Sequence, residues 1–430
     1  MSYASSVRFL YSLGNELKVG AKWDLNRMRV LLRALGNPEA GGRFVHVAGT
    51  NGKGSTCAML ASILSAGGLR TGIYTSPHLQ KPTERIRIDG TDVSEEEFSA
   101  AFDRVHEAAE RLEAAGSIDG YPSYFEIVTA MAFLVFREKT DISIIEVGLG
   151  GRLDATNVIS PELTVITPIS FDHEAFLGNT LESIGSEKAG ILKRGVALVL
   201  AQQMDETERL VTRVAEELAV PVHHTRDLAL SNVRLTPYGC ELEADGLPVR
   251  HSLPGRHQVE NATAAILAAK LLNIDPSAIQ KGLADACWPG RLEFVSHNPD
   301  FILDGAHNPA GARALAQYIR EFCAGRPVWI VYGTMRDKAI DEVTAELFPL
   351  ADRLILTAPD FPRALRPEAI AAVTEHPNRV IATNLDEAIK IGGAAPPEAA
   401  VFFTGSLFIV GEARGKLLGR NQTQPEMEFS

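Results

Sequence analysis

The 430-residue chain is poor in the features that mark several protein classes. It has only four cysteines, Cys57, Cys240, Cys287 and Cys323, separated by 183, 47 and 36 positions, a spacing that suits neither a metal knuckle nor a small disulfide framework. Reduced thiols in a cytoplasmic protein are expected. Positive charge is not in excess: 42 Lys and Arg stand against 54 Asp and Glu, a net charge of −12, with the basic residues scattered. That argues against a general nucleic-acid partner. No apolar run reaches the ~18 residues of a membrane span, and the first twenty residues lack the apolar core and cleavage site of a secretory leader, so no membrane partner is expected. Low-complexity segments and internal repeats are also missing. With 45% hydrophobic and 22% charged residues the chain reads as globular, and at about 150 residues per domain it has room for two or three.

What is present is an α/β rhythm. Short β-branched runs at Arg43–Ala48, Thr71–Thr75, Ile142–Val147, Leu163–Thr167 and Val196–Leu200 alternate with helical stretches, the pattern of a mostly parallel sheet with helical crossovers. Helices are expected at Ser55–Ala66, at Glu95–Ala115 behind a Ser94/Glu97 capping box, at Phe125–Glu138, at Leu181–Leu192 and at Glu206–Leu218. Segment 221–253, with turns at Tyr238-Gly239 and Asp245-Gly246, suggests a small antiparallel patch, and helices Asn261–Leu272 and Pro276–Ala286 follow. A second α/β series begins with a strand at Glu293–Leu303 and continues through Val328–Tyr332, Arg353–Thr357, Arg379–Ala382 and Ala400–Phe403. The expected domains are therefore 1–293 and 294–430, the second Rossmann-like, with a frayed tail at Asn421–Ser430.

The strongest local signal is FVHVAGTNGKGSTCAMLASIL at 44–64: strand, glycine-rich turn, lysine, hydroxyl residues, helix. Gly49, Gly52 and Gly54 let the backbone approach an anion, the helix N-terminus adds positive potential, Lys53 is a point charge and Ser55 can face a metal-bound phosphate. Strict Walker A spacing is not met, because Val47 stands five before Gly52 and a glycine separates Lys53 from Ser55. Bound ATP implies Mg²⁺, a hard cation that takes oxygen donors. Glu146, closing an apolar strand, is the first candidate ligand; Ser76 in TSPHL and His173 in FDHEAFLG are others.

These strings resemble folylpolyglutamate synthase and its bifunctional dihydrofolate synthase form, within the Mur ligase superfamily. The resemblance runs in order through GTNGKGS at 49–55, TSPHL at 75–79, ERIRI at 84–88, FEIVTAMAF at 125–133, EVGLGGRLDATN at 146–157 and FDH at 171–173. It continues with SEKAGI at 186–191, PGRHQVENATAA at 254–265, WPGRLE at 288–293, DGAHNP at 304–309 and GSLFIVGE at 405–412. It implies an ATP-dependent ligase that phosphorylates the carboxylate of dihydropteroate or a reduced folate and lets L-glutamate's amine displace the phosphate. By the same resemblance Asn51, Gly52, Lys53, Gly54, Ser55, Asn261, Arg291 and Asp304 contact ATP. Ser76 and Glu146 hold one Mg²⁺, His173 a second, and Lys188 is the lysine carbamylated by CO₂; a monovalent cation such as K⁺ is a further expectation. Lys188, His173 and His307 are the implied catalytic residues, with His307 and Ser406 at the glutamate and Asn26, Arg27, Phe125 and Asp154 at the folate. Where the family has a glycine and a glutamate in the N-terminal segment, this chain has Asp24-Leu25-Asn26-Arg27. A monomer is implied.

Two other readings stand beside this one. A peptidoglycan-precursor ligase of the same superfamily would carry an N-terminal UDP-binding domain, and only 43 residues precede the first loop strand. A phosphate-loop switch without ligase activity would explain residues 44–66 and Glu146 but not the second domain or DGAHNP.

Overall fold

The computed structural model describes residues 1–14, 24–336 and 339–419. Seventeen strands are described, and they form three sheets. In the first domain β1 (Phe44–Ala48), β2 (Thr71–Tyr74), β3 (Ile86–Ile88), β4 (Thr91–Asp92), β5 (Ile142–Glu146), β6 (Leu163–Ile166), β7 (Ala197–Leu200) and β8 (Val222–His224) pair in the order β4-β3-β2-β5-β1-β6-β7-β8. Six of the eight run parallel; β3 and β4 are an antiparallel hairpin at one edge. Strands β1 and β5 are buried along their whole length, which is why FVHVA and ISIIE read as continuous rather than alternating apolar runs.

Helices cover both faces. Tyr3–Ser12, Asn26–Ala34, Glu95–Ala114 and Tyr124–Lys139 enclose a core around Phe98, Phe102 and Phe133. On the other face Lys53–Ala66, His257–Leu271 and Pro276–Asp285 pack on the sheet, joined by an antiparallel sheet of β9 (Leu230–Thr236), β10 (Gly239–Ala244) and β11 (Leu247–His251). The second domain has six strands: β12 (Glu293–Ser296), β13 (Asp300–Leu303), β14 (Val328–Tyr332), β15 (Arg353–Leu356), β16 (Arg379–Ile381) and β17 (Ala400–Thr404), ordered β12-β13-β17-β14-β15-β16 and parallel except for β12.

The two-domain α/β architecture matches the sequence reading, and the Ser94/Glu97 capping box is formed. Several local expectations change. Glu293–Leu303 is a hairpin, not one strand, because Asn298 takes a positive φ of 59° before Pro299, a turn signal inside the apolar run. Val222–His224 joins the main sheet in parallel, so the antiparallel patch begins only at Leu230. The expected helix Leu181–Leu192 stops at Ala189, with Gly190, a weak helix former, as its C-cap. The two N-terminal helices and the β3–β4 hairpin, turning through Asp89-Gly90 at positive φ, had no counterpart in the reading. The tail Asn421–Ser430 lies outside the described residues. Among the described residues no helix is long and apolar enough to cross a membrane.

The helix that carries the phosphate loop is set by close packing. Gly282 of Pro276–Asp285 lies on the backbone of Ile63, where a β-carbon would overlap the main chain. Gly282→Ala would gain about 1 kcal/mol of helix propensity but force about 1–3 kcal/mol of overpacking against a backbone that cannot yield. A net loss of stability is expected, read as a lower urea midpoint at unchanged slope.

Candidate active site

Parallel strands bring loops from distant sequence to one edge, and four neighbours in the first sheet do so here. The C-terminal ends of β2, β5, β1 and β6 lead to Ser76, Glu146, the 49–55 loop and the Ser170–His173 segment. The C-terminal ends of β13, β14, β15 and β17 in the second domain lead to Asp304–His307, Met335, Arg363 and Ser406. Residues from both edges line one cleft of about 680 Å³.

The phosphate loop is a turn only glycine permits at two points. Gly49 (φ +146°) lies against the Thr167 side chain and Gly52 (φ +88°) against Asn261 Oδ1, and a β-carbon would collide in both places. Gly52 is also the N-cap of the helix Lys53–Ala66, which starts two residues before the expected Ser55. Lys53 Nζ donates to the carbonyl oxygens of Gly49 (3.1 Å) and Thr50 (3.2 Å). Lys188 Nζ, buried at the end of the helix Leu181–Ala189, donates to the same Gly49 oxygen at 2.8 Å. Burial first, and the charge of Lys53 second, lower the Lys188 amine to about 7, while Asp172 and Asp154 pull the other way. Behind the loop Gln258 Nε2 donates to Ser55 Oγ (3.3 Å) and accepts through Oε1 from Asn261 Nδ2 (2.8 Å).

Glu146 Oε2 accepts from the Ser76 amide at 3.1 Å. Its carboxylate is buried and, among the described residues, has no ion pair; burial pushes its pKa up, opposed first by Lys53 and then by that amide and Arg291. A buried carboxylate without a cation, next to a serine hydroxyl, fits a hard oxygen-seeking ion such as Mg²⁺. No group of three or more His, Cys, Asp or Glu is arranged to cage a metal among the described residues.

The domains meet across the cleft through amides. Asn308 Nδ2 donates to Asn51 Oδ1 (3.0 Å) and to Asp172 Oδ2 (3.1 Å), while its Oδ1 caps the helix Pro309–Phe322 at the Gly311 amide. His307 has Nδ1 2.7 Å from the Gly305 carbonyl, which makes Nδ1 the protonated nitrogen, and Nε2 faces Asp172 at 3.5 Å. His173, at φ +52°, lies 3.9 Å from Asp172. Asp304 accepts from the Leu292 and Ala306 amides at 3.1 and 3.0 Å, and Arg291 feels its charge and that of Glu146. Ser406 Oγ accepts from the Ile409 amide and so caps its own helix.

At the far end of the cleft the implied folate residues have mixed placements. The Phe125 ring packs on Gly148, which has no room for a β-carbon. Asp154 lines the cleft, but its oxygens are occupied: Oδ2 accepts from the Gly148 and Leu149 amides (3.0 and 2.9 Å), Oδ1 from the Thr156 amide and hydroxyl. Because the Thr156 proton goes to Asp154, Thr156 Oγ1 accepts in turn from Nε2 of His46, which burial keeps neutral, with a pKa near 3. Arg27 forms a fork with Glu126, Nε–Oε1 3.0 Å and Nη2–Oε2 2.7 Å. Asn26 is exposed and not on the cleft wall, since the buried face of Asn26–Ala34 is Met28, Leu31 and Leu32. Asp24 reaches the wall instead. Sequence reasoning singled out neither Asp172, Asn308, Gln258 nor Glu126, although each lies inside a quoted string; nothing in the sequence says which residue a hydrogen bond joins.

Residues 47–269 match the family description Mur ligase middle domain, and residues 290–407 match Mur ligase, glutamate ligase domain. The chain is 39% identical over 416 residues to the dihydrofolate synthase/folylpolyglutamate synthase of Bacillus subtilis, covering 93% of this chain and 96% of that protein. It is 33% identical over 440 aligned positions to the folylpolyglutamate synthase of Lacticaseibacillus casei, covering 97% and 99%. Among solved structures, Mycobacterium tuberculosis folylpolyglutamate synthase complexed with ADP superposes with a TM-score of 0.90 at 32% identity, over 97% of this chain and 99% of that one. E. coli FolC in complex with DHPP and ADP gives 0.86 at 30% identity, over 98% and 99%. With a phosphate loop, a second α/β domain closing on it, and relatives of this kind along nearly its whole length, the chain belongs to the Mur ligase family, in its dihydrofolate synthase/folylpolyglutamate synthase group, and is an ATP-dependent amide-forming ligase.

Proposed function

We propose that the protein joins L-glutamate to the carboxyl group of dihydropteroate and to the terminal carboxyl group of reduced folates, with ATP as co-substrate. The observation that supports this best is the single cleft in which the phosphate loop, two lysines on one carbonyl and the wall of the glutamate ligase domain converge. The acceptor carboxylate attacks the γ-phosphorus of ATP, ADP leaves, and an acyl phosphate remains. The neutral amine of glutamate then attacks the acyl carbon, and inorganic phosphate departs with one former carboxylate oxygen.

A carboxylate approaching a triphosphate is repelled, so the residues around the phosphates must supply positive potential. Lys53, the amides of Asn51–Ser55 and the N-terminus of Lys53–Ala66 do this, and Asn261, Arg291 and Asp304 hold the rest of the nucleotide. Ser76 and Glu146 would hold one Mg²⁺ and His173 a second; bound there, the ions would screen the phosphate oxygens and polarise the phosphoryl group. An amine with a pKa near 7 in a buried site is suited to take up CO₂, releasing a proton and leaving an anionic carbamate on Lys188 that supplies an oxygen donor. Phe125 and Asp154, the latter through the loop it ties together, shape the acceptor pocket, with Arg27 neutralised by Glu126 at its rim. His307 and Ser406 border the path of the incoming glutamate. We further propose a cytosolic monomer whose four cysteines stay as thiols, and K⁺ as an additional ion.

Purified protein with ATP, Mg²⁺ and L-glutamate should convert both dihydropteroate and tetrahydrofolate to products one glutamate heavier, read by mass spectrometry. Isotopic oxygen in the acceptor carboxylate should reappear in released phosphate; retention of all label in the folate would refute an acyl phosphate. Lys188→Ala should lose ligation by at least about 100-fold, the loss expected for a group that orders the reacting phosphates, with partial recovery on adding short carboxylic acids; full activity would remove the carbamate from the mechanism. Only the neutral amine combines with CO₂, so CO₂-depleted enzyme should regain activity with bicarbonate readily above pH 7 and progressively less below it, followed by phosphate release over time.

A further inference from the structure

His46 sits in the middle of β1, three residues before the turn at Gly49, and is fully buried. Strand alternation puts it on the same face as Phe44, whose ring lies 5.8 Å from Phe133 in the aromatic core. An apolar side chain is the ordinary occupant of such a place. The imidazole instead stays neutral, with Nδ1 buried and without a hydrogen-bond partner among the described residues, which is less stable than a hydrocarbon of similar volume. Core stability alone therefore does not account for a histidine here.

The other ring nitrogen leads out of the core. Nε2 lies 2.9 Å from Thr156 Oγ1, and because the threonine proton goes to Asp154 Oδ1, the imidazole is the donor and Thr156 the relay. Asp154 in turn gathers its own loop, with Oδ1 accepting from the Thr156 amide and Oδ2 from the Gly148 and Leu149 amides. Gly148, Leu149, Leu153, Asp154 and Ala155 line the cleft, with the Phe125 ring against Gly148. Asn157 ties down the far side of this loop, its Nδ2 donating to Arg152 O (2.9 Å) and Gly190 O (3.0 Å). One strand thus carries the phosphate loop at its end and, through His46, an anchor of the opposite wall.

We infer that His46 is a positioning residue for the acceptor: by holding the Thr156 hydroxyl on Asp154 it sets the Gly148–Ala155 wall, and with it the acceptor carboxylate, in register with the phosphate loop. It touches no substrate and takes no part in the bond changes. The inference rests on the ligase reading above, because that reading assigns this end of the cleft to the acceptor.

The test is steady-state kinetics of the full chain with each substrate varied in turn and a reduced folate as acceptor, beside urea unfolding. His46→Leu removes the donor at similar volume and should raise the acceptor KM roughly 3- to 10-fold, the effect of one neutral hydrogen bond. The KM for ATP should stay within about twofold, and the urea midpoint should hold or rise because an unmet buried nitrogen is gone. His46→Gln, whose amide nitrogen falls near the position of Nε2, should return the acceptor KM toward that of the unsubstituted enzyme. Thr156→Val breaks the relay at its centre and should raise the acceptor KM roughly 10- to 100-fold, since a hydrogen bond to a carboxylate is lost. Adding His46→Leu to Thr156→Val should raise it no further, because His46 acts through Thr156. An unchanged acceptor KM in His46→Leu, equal rises for acceptor and ATP, or additive effects in the double variant overturn the assignment. Should His46→Leu melt too low to assay, His46→Asn takes its place, since its amide stops short of Thr156; an acceptor KM equal to that of His46→Gln then counts against the relay. An unsubstituted enzyme that forms no glutamylated product would sink the ligase reading and this assignment with it.

Discussion

Two lysines share one carbonyl. Lys53, from the helix of the phosphate loop, and Lys188, from a helix 135 residues further along, both donate to Gly49 O, the first half-buried and the second buried. It is the buried Lys188 whose proton is loosened, by burial first and by the charge of Lys53 second, against the pull of Asp172 and Asp154. Two cations gathered on one glycine-rich turn favour an anion there, as the phosphate-binding turn of an ATP-dependent ligase requires.

The rest of the first domain holds those two lysines in register. Gly49 and Gly52 permit the turn that aims the carbonyl inward, and Gly282 lets a third helix press the loop's helix onto the sheet. The second domain meets the first through both amides and charge. Asn308 ties Asn51 to Asp172 across the cleft, one bond reaching an amide oxygen and one a carboxylate. Arg291 faces the charge of Asp304, and His307 faces Asp172 at 3.5 Å.

Much of the site was legible because the chemistry needs particular residue types next to one another in sequence. The loop at 49–55 and Glu146 at a strand end follow from strand–turn–helix order, and His307, Phe125, Asn261 and Arg291, named through the resemblance, line the cleft. Asn26 was misjudged by one residue's worth of helical rotation: its neighbours Asp24 and Arg27 reach the cleft while it faces solvent. Asp154 reads as a ligand in sequence, yet four donors from its own loop and from Thr156 occupy its oxygens. The hairpin within 293–303 was hidden because a single Asn-Pro step interrupts an otherwise unbroken β pattern.

By itself the sequence determined the class of fold and the presence of a glycine-rich strand–turn–helix, since periodicity and glycine placement are local properties of a chain. Only the tertiary structure decided which groups face one another: Lys188 against Gly49, and Asn308 against Asn51. Those pairings join residues 139 and 257 positions apart, and such distances are closed by sheet order and domain docking, for which a linear pattern carries no signal.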